Sequence, residues 1–190
     1  MSRESAWNAA SALSDRSNVA RVLDDLVFED RAGVIGSLLL DLGRAGDETG
    51  ARSTNGSPLF FLLAFAREPL PHPRLVGLGD AGLLRARDFL ESLRPRVSRL
   101  ALPAQSTSVS AELELALDLL VFACDFGRAR LSVPAGSPVG TIARPLRLEL
   151  AARLARLIST YRDLWLSTDR PGGLEESAAW LERVRLLLES

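Results

Sequence analysis

The sequence contains no lysine, and this absence removes several kinds of enzyme mechanism. Every basic residue other than one histidine is an arginine. Schiff-base catalysis, the phosphate-binding P-loop and serine acylation assisted by a lysine all need the missing side chain. The single histidine, His72, lies among Pro69, Pro71 and Pro73, which predicts an exposed loop residue without catalytic partners. A small helical enzyme therefore finds no support in the sequence.

Cysteine and long apolar runs are scarce as well. The one cysteine, Cys124, excludes an internal disulfide bond and lies in an apolar stretch that predicts a buried side chain. A reducing cytoplasm fits this usage. No apolar run approaches the about 20 residues that a membrane span needs, and the N-terminus lacks a signal-peptide pattern. With a formal net charge of −1, we expect a cytoplasmic protein that binds neither nucleic acid nor a membrane.

The composition is dominated by residues that form helices. Hydrophobic residues make up 47% of the 190 residues, aromatic residues only 6%, and the excess is mainly leucine and alanine. This balance predicts an all-α protein, and the excess of Ala, Leu, Arg and Gly is typical of a bacterial gene of high GC content. We expect a polar lead-in over residues 1–16, with Trp7 as its anchor, and a single helical domain over residues 17–190.

Apolar stripes at helical spacing predict a bundle of about seven helices, in which the long fifth and sixth helices carry the core. Ser57 and Pro58 predict the start of the third helix, and Pro95 predicts a kink or restart in the fourth. Val19, Val22, Leu23, Leu26 and Val27 predict a buried stripe on the first helix. A set of arginines on the sixth helix predicts a solvated face: Arg144, Arg147, Arg153, Arg156 and Arg162.

A glycine pattern before the fourth helix matches the dinucleotide-binding motif in spacing only. Residues 77–82 read GLGDAG, but that motif requires a buried strand before it and a βαβ unit around it. The preceding segment is broken by prolines and the surrounding chain is helical. We interpret the glycines as a loop that leads to a helix cap at Asp80.

The densest chemistry lies between the last two predicted helices. Residues 169–173 form a turn of Asp, Arg, Pro, Gly and Gly, and aromatic residues precede it by one or two helical turns. Such a turn reverses the chain, because proline stops a helix and glycine adopts backbone angles that other residues avoid. The same groups also form a recognition corner for a polar ring such as a sugar, with a planar guanidinium, an acceptor and a stacking face. The candidate residues are Tyr161, Trp165, Asp169, Arg170, Gly172 and Gly173. No catalytic residue, metal ligand or cofactor site is predicted.

The run YRDLWLSTDRPGGLEES, residues 161–177, resembles the C-terminal end of bacterial glycoside hydrolase family 20 β-N-acetylhexosaminidases. Many of these enzymes finish with a helical domain that closes on a similar Leu-Trp-Leu and Arg-Pro-Gly-Gly-Leu pattern. Residues 55–60 and the LLLDLG stretch ending at Gly43 resemble earlier segments of that domain. Where the family usually has Arg-Asn before Arg-Pro, this chain has Thr168 and Asp169, so a structural pairing of Asp169 with Arg170 is an open alternative.

The resemblance implies a non-catalytic role for this chain. Family 20 hydrolysis takes place in a (β/α)8 barrel of about 250 residues, where an adjacent Asp-Glu pair performs substrate-assisted catalysis. Asp47 and Glu48 copy the dipeptide on a glycine-bearing loop, which predicts a solvated pair. The resemblance therefore implies an accessory domain that packs on a barrel in cis or in trans, assists dimerisation and lends Arg170 to an amino sugar. The alternative is a stand-alone helical interaction or ligand-sensing module, which predicts a closed apolar cavity.

Overall fold

The computed structural model describes residues 15–53, 55–106 and 108–190, and it confirms an all-α bundle. Seven α-helices occupy this part of the chain, and its only β-pairing is an isolated bridge between Arg52 and Val76. The helices are α1 (Arg16–Val22), α2 (Ile35–Arg44), α3 (Pro58–Ala64), α4 (Asp80–Val97), α5 (Ser108–Leu131), α6 (Arg144–Thr168) and α7 (Leu174–Glu189). The predicted lead-in, including Trp7, lies outside the described residues except for its last two positions. No helix in the described ranges is long and apolar enough to cross a membrane.

The fifth helix lies between two apolar clusters that together form the core. Leu117, Val121 and Cys124 join a cluster built with α2, α3 and α4. Phe122 and Phe126, on the other side of α5, join a cluster built with α6 and α7. Because apolar residues surround most of α5, it can be covered on both sides. The prediction of a buried Cys124 is confirmed, and burial raises the pKa of its thiol to about 12.

The predicted stripe on α1 is wrong at its C-terminal end. A π-helical turn, Leu23–Val27, follows α1, and the side chains of Leu26 and Val27 are 64% and 58% exposed. The wider turn changes the direction in which successive side chains project. It also buries Asp24, whose carboxylate accepts a hydrogen bond from the backbone N–H of Gly36 at 2.7 Å.

The fourth helix passes through Pro95 without the predicted restart. Pro95 lies in the last turn of α4, so the missing proline N–H removes a backbone hydrogen bond close to the helix end, where few turns depend on it. At its other end α4 is preceded by Gly79, and no side chain caps it, so the predicted cap at Asp80 is wrong. Asp80 is the first helical residue and pairs with Arg128 at 2.7 Å.

The glycine pattern before α4 has a packing explanation. A Cβ atom added to Gly82 would lie 2.0 Å from the carbonyl oxygen of Thr49, so only glycine allows the turn Asp47–Thr49 to lie against α4. Ser57 caps α3 and accepts a hydrogen bond from the N–H of Leu59, which confirms that predicted start.

The predicted solvated arginine face of α6 is wrong for three of its five members. Arg147 is buried and donates hydrogen bonds to the carbonyl oxygens of Ile142 and Leu188. Arg153 is partly buried and pairs with a carboxylate of α5, and Arg162 pairs with Glu175 of α7 at 3.0 Å. A guanidinium can satisfy buried acceptors with its several N–H groups, so a polar helix position need not face solvent.

The prediction of an exposed His72 is also wrong. Its side chain is 11% exposed, its ring stacks on Phe65 with centroids 4.9 Å apart, and its Nε2 atom lies 2.6 Å from a carboxylate oxygen of Glu68. The proline-rich loop brings the histidine back over the end of α3, which local sequence does not reveal.

Candidate functional site at the turn between α6 and α7

The predicted turn reverses the chain as expected and is fixed by backbone acceptors. The N–H of Asp169 donates to the carbonyl oxygen of Trp165 at 2.7 Å and ends α6. The indole Nε1–H of Trp165 donates to the carbonyl oxygen of Arg170 at 2.9 Å. Leu174, the first residue of α7, is buried and anchors the far side of the turn.

The two glycines of the turn have different roles. Gly173 has φ +86°, a left-handed conformation that L-residues rarely adopt, and it immediately precedes α7. Gly172 has no such angle, and a Cβ atom there would meet nothing within 4 Å. The reversal therefore requires glycine at position 173 and tolerates a side chain at position 172.

The charged groups of the turn are not paired with each other. The Asp169 carboxylate accepts a hydrogen bond from the Thr168 hydroxyl at 3.0 Å. The guanidinium of Arg170 makes no hydrogen bond or ion pair with any residue that the structure describes, and Arg170 is exposed. The alternative of an Asp169–Arg170 pair is therefore wrong, and Arg170 keeps its donors in solvent.

A groove opens beside the turn, between α5 and α6. It has a volume of about 330 Å³ and is open to solvent. Tyr161, Trp165 and Asp169 line it from α6 and the turn, and Leu115 and Leu119 line it from α5. The centroids of the Tyr161 and Trp165 rings lie 5.9 Å apart and the ring planes are inclined at 54°, so the groove has aromatic walls, and two carboxylate residues, Glu112 and Asp169, also line it. The predicted residues are thus brought together in part, since neither Arg170 nor the glycines line this groove.

A second groove on the other side of Tyr161 contains aromatic residues that the sequence analysis missed. Its volume is about 450 Å³, and Phe60, Tyr161, Trp180 and Leu181 line it. The Phe60 and Trp180 rings stack with centroids 5.1 Å apart, and these residues are 49% and 38% exposed. Phe60 differs in this from its neighbours on α3, since Leu59, Phe61 and Leu62 are buried. On α7, Trp180 lies outside the buried stripe that contains Ala178, Val184 and Leu188. A large aromatic residue outside the apolar stripe of its helix was the sequence signal that could have identified this exposed surface.

The side chains around the turn provide surfaces that can bind a ligand or a partner. Among the described residues, no group of three His, Cys, Asp or Glu side chains is placed to hold a metal ion. Asp47 and Glu48 lie on their short 3₁₀ turn against α4, where neither carboxylate bonds another described residue. Open grooves with aromatic walls and nearby charged groups are typical of surfaces that bind a ligand or a partner.

Comparisons with protein-family models, with curated proteins and with solved structures find no match to this chain. The resemblance to glycoside hydrolase family 20 therefore stays a prediction based on three short motifs.

Proposed function

We propose that this chain is a non-catalytic accessory domain of the kind found in family 20 β-N-acetylhexosaminidases. Its surface at the α6–α7 turn would pack on a catalytic (β/α)8 barrel, in cis or in trans, and contact an amino sugar. The observation that carries the proposal is the exposed Arg170, whose guanidinium has no partner among the described residues and whose backbone carbonyl bonds Trp165 of the groove.

The chemistry of the corner suits a sugar. A pyranose ring presents apolar C–H faces and hydroxyl or amide groups at its edge, so it needs aromatic walls and polar groups nearby. Tyr161 and Trp165 provide the walls, and the Asp169 carboxylate can accept from a hydroxyl. The Arg170 guanidinium can donate to a carbonyl or hydroxyl oxygen without first breaking an internal pair.

The aromatic surface next to the corner suits a protein partner. The stacked Phe60 and Trp180 rings form an apolar patch beside Tyr161, and such patches mark interaction sites on soluble proteins. A barrel or a second copy of this chain could cover it, so homodimerisation belongs to the same proposal. The described grooves are open to solvent, whereas the stand-alone sensing module predicts a closed cavity.

The proposal includes a cytoplasmic location and excludes nucleic acid and membrane as partners. The free Cys124 supports the cytoplasmic location, and the near-neutral net charge supports the exclusion of nucleic acid and membrane.

The sugar contact is tested by titrating N-acetylglucosamine and following tryptophan fluorescence. We expect Arg170→Gln to weaken binding about tenfold, the effect of losing one charge-assisted hydrogen bond. The control Arg99→Gln removes another exposed arginine that has no described side-chain partner, and it should bind like the wild type. Equal binding by all three proteins would contradict the role of the corner.

The absence of catalysis is tested with 4-nitrophenyl N-acetyl-β-glucosaminide and the isolated chain, which we expect to give no turnover. Hydrolysis that persists after Asp47→Asn and Glu48→Gln would contradict the accessory role.

The partner is tested by light scattering of the chain mixed with a family 20 catalytic barrel. Trp180→Arg should abolish the complex, whereas Leu84→Arg, on an apolar residue of nearly equal exposure on α4, should leave it intact. A complex that forms equally with both variants would contradict this docking surface.

A further inference from the structure

A cleft along α5, away from the α6–α7 turn, is lined by several arginines. It has a volume of about 540 Å³, with α4 on one side and α6 on the other. Four arginines line it: Arg87, Arg128, Arg153 and Arg156. We refer to this surface as the arginine cleft.

The geometry points to a binding site for a small phosphate ester in the arginine cleft, and we propose this independently of the function above. Three carboxylates also line the cleft: Asp80, Asp125 and Glu149. Four arginines minus three carboxylates leave one net positive charge in the cleft. An anion is therefore the ligand that its electrostatics favour.

Two of the arginines share a single carboxylate. Arg87 donates through Nε to one oxygen of Asp125 at 3.0 Å, and Arg153 donates through Nη1 to the other at 2.6 Å. A guanidinium carries five N–H donors in a planar fork. Each of these two arginines thus uses one donor on Asp125. The Nη1 atom of Arg87 also lies 4.0 Å from an oxygen of the exposed Asp88, too far for a hydrogen bond, so both arginines retain donors for the oxygens of a ligand.

The shared carboxylate also holds the two guanidinium groups in place before a ligand arrives. Asp125 is 22% exposed, and the Arg153 guanidinium lies over the buried Phe122 ring, 5.9 Å from its centroid. Donors that are already positioned lose less conformational entropy on binding. The fork of arginine matches the oxygens of a phosphate, which makes this group a suitable anion.

Arg156 is the one arginine of the cleft whose side chain has no hydrogen bond or ion pair with a described residue. Its guanidinium makes no hydrogen bond or ion pair within the described ranges, and the residue is exposed on α6. Arg128, by contrast, is paired with Asp80. Arg156 therefore adds no ion pair between the helices, and all of its guanidinium donors are available to a ligand.

The walls of the cleft indicate an ester rather than a bare ion. Ala129, Leu146 and Leu150 also line the cleft, and Leu146 is 37% exposed. An organic group attached to the phosphate would cover this apolar surface, and covering it is favourable at about 25 cal/mol per Å².

The test is a calorimetric titration of the full chain with phenyl phosphate, inorganic phosphate and phenol, each up to about 10 mM. We expect phenyl phosphate to bind more tightly than inorganic phosphate, and phenol not to bind. Arg156→Gln should weaken phenyl phosphate binding about tenfold without changing the urea midpoint, because one charge-assisted hydrogen bond is lost. Arg99→Gln is the matched control, since it removes an exposed arginine that has no described side-chain partner and lies outside the cleft, and it should bind like the wild type.

Failure of phenyl phosphate to bind, or equal binding by the wild type and Arg156→Gln, would overturn the proposal and leave the cleft a set of ion pairs between helices. Equal affinity for the ester and for inorganic phosphate would overturn the assignment of an ester. None of these readouts involves N-acetylglucosamine, so the failure of this site and of the accessory role are distinguishable.

Discussion

The side chain of Trp165 is tied to the backbone of Arg170, five residues later, by an indole N–H to carbonyl hydrogen bond of 2.9 Å. This bond uses the only polar group of the indole on the turn, so its ring lines the groove as an apolar wall. The same bond engages the backbone carbonyl of Arg170, whereas the guanidinium of Arg170 stays in solvent. The bond therefore fixes the stacking face of Trp165 and holds the backbone of Arg170 beside it.

Replacing Trp165 by phenylalanine tests the contribution of this bond. Trp165→Phe removes the N–H donor and keeps an aromatic ring, so we expect the free energy of unfolding to fall by about 1 kcal/mol more than in a control. The control is Trp180→Phe, since the Trp180 indole N–H donates to no described residue. Urea denaturation followed by circular dichroism measures both. Equal losses would show that the bond adds nothing to stability.

The two glycines of the turn are expected to respond oppositely to alanine. Gly173→Ala should destabilise the protein by about 1–2 kcal/mol, because an L-residue pays this cost in the left-handed conformation. A new methyl group would have room there, since Trp165 lies 3.7 Å away, so the loss reports the backbone angle. Gly172→Ala should change the free energy of unfolding by less than about 0.5 kcal/mol. Thermal unfolding of both variants checks the pair, and similar losses at the two positions would contradict the assigned roles.

The helices could be predicted because each one repeats apolar residues at helical spacing, and Ser57 with Pro58 marks a start by local chemistry alone. The exposure of Leu26 and Val27 could not be predicted, because it accompanies a π turn in which Asp24 accepts a hydrogen bond from Gly36 of another helix, a contact that local sequence does not encode. At the candidate site, the role of Gly173 could be predicted, because a chain reversal between two helices commonly needs a glycine in the left-handed conformation. The stacking of Phe60 on Trp180 joins residues far apart in the chain, and no local pattern encodes that meeting.

The second helix contains a pair of glycines that separates close packing from helix propensity. A Cβ atom on Gly36 would lie 2.0 Å from the carbonyl oxygen of Ala20, so α1 would have to move away from α2. We expect Gly36→Ala to cost about 1–3 kcal/mol, the range for overpacking a tight contact. Gly43 has nothing within 4 Å of its Cβ position, so Gly43→Ala should stabilise the helix by about 0.5–1 kcal/mol. Chemical denaturation measures both, and a stabilising Gly36→Ala would contradict the close approach of the two helices.

A buried carboxylate ties the start of α2 to a distant loop. Asp30 is 5% exposed and accepts hydrogen bonds from four backbone N–H groups. Three precede or begin α2, at Ala32, Val34 and Ile35, and the fourth belongs to Ala101, at 2.8 Å. Asp30→Asn keeps the shape but removes the negative charge that strengthens these bonds, so we expect a loss of about 2 kcal/mol at neutral pH. The control Asp163→Asn removes an exposed carboxylate without a described partner, and its stability should equal that of the wild type.

The same carboxylate predicts how stability depends on pH. Burial by itself would raise the pKa of Asp30, but the backbone N–H donors outweigh burial and hold the pKa below its ordinary value of 3.8. A carboxylate with a lowered pKa in the folded state stabilises the protein above the unfolded pKa, and this contribution is lost as the pH falls through the folded pKa. The stability gap between the wild type and Asp30→Asn should therefore be full at neutral pH and shrink below about pH 4. Urea midpoints measured across this range check it, and a gap that stays constant into acid would show that the four bonds do not depend on the charge.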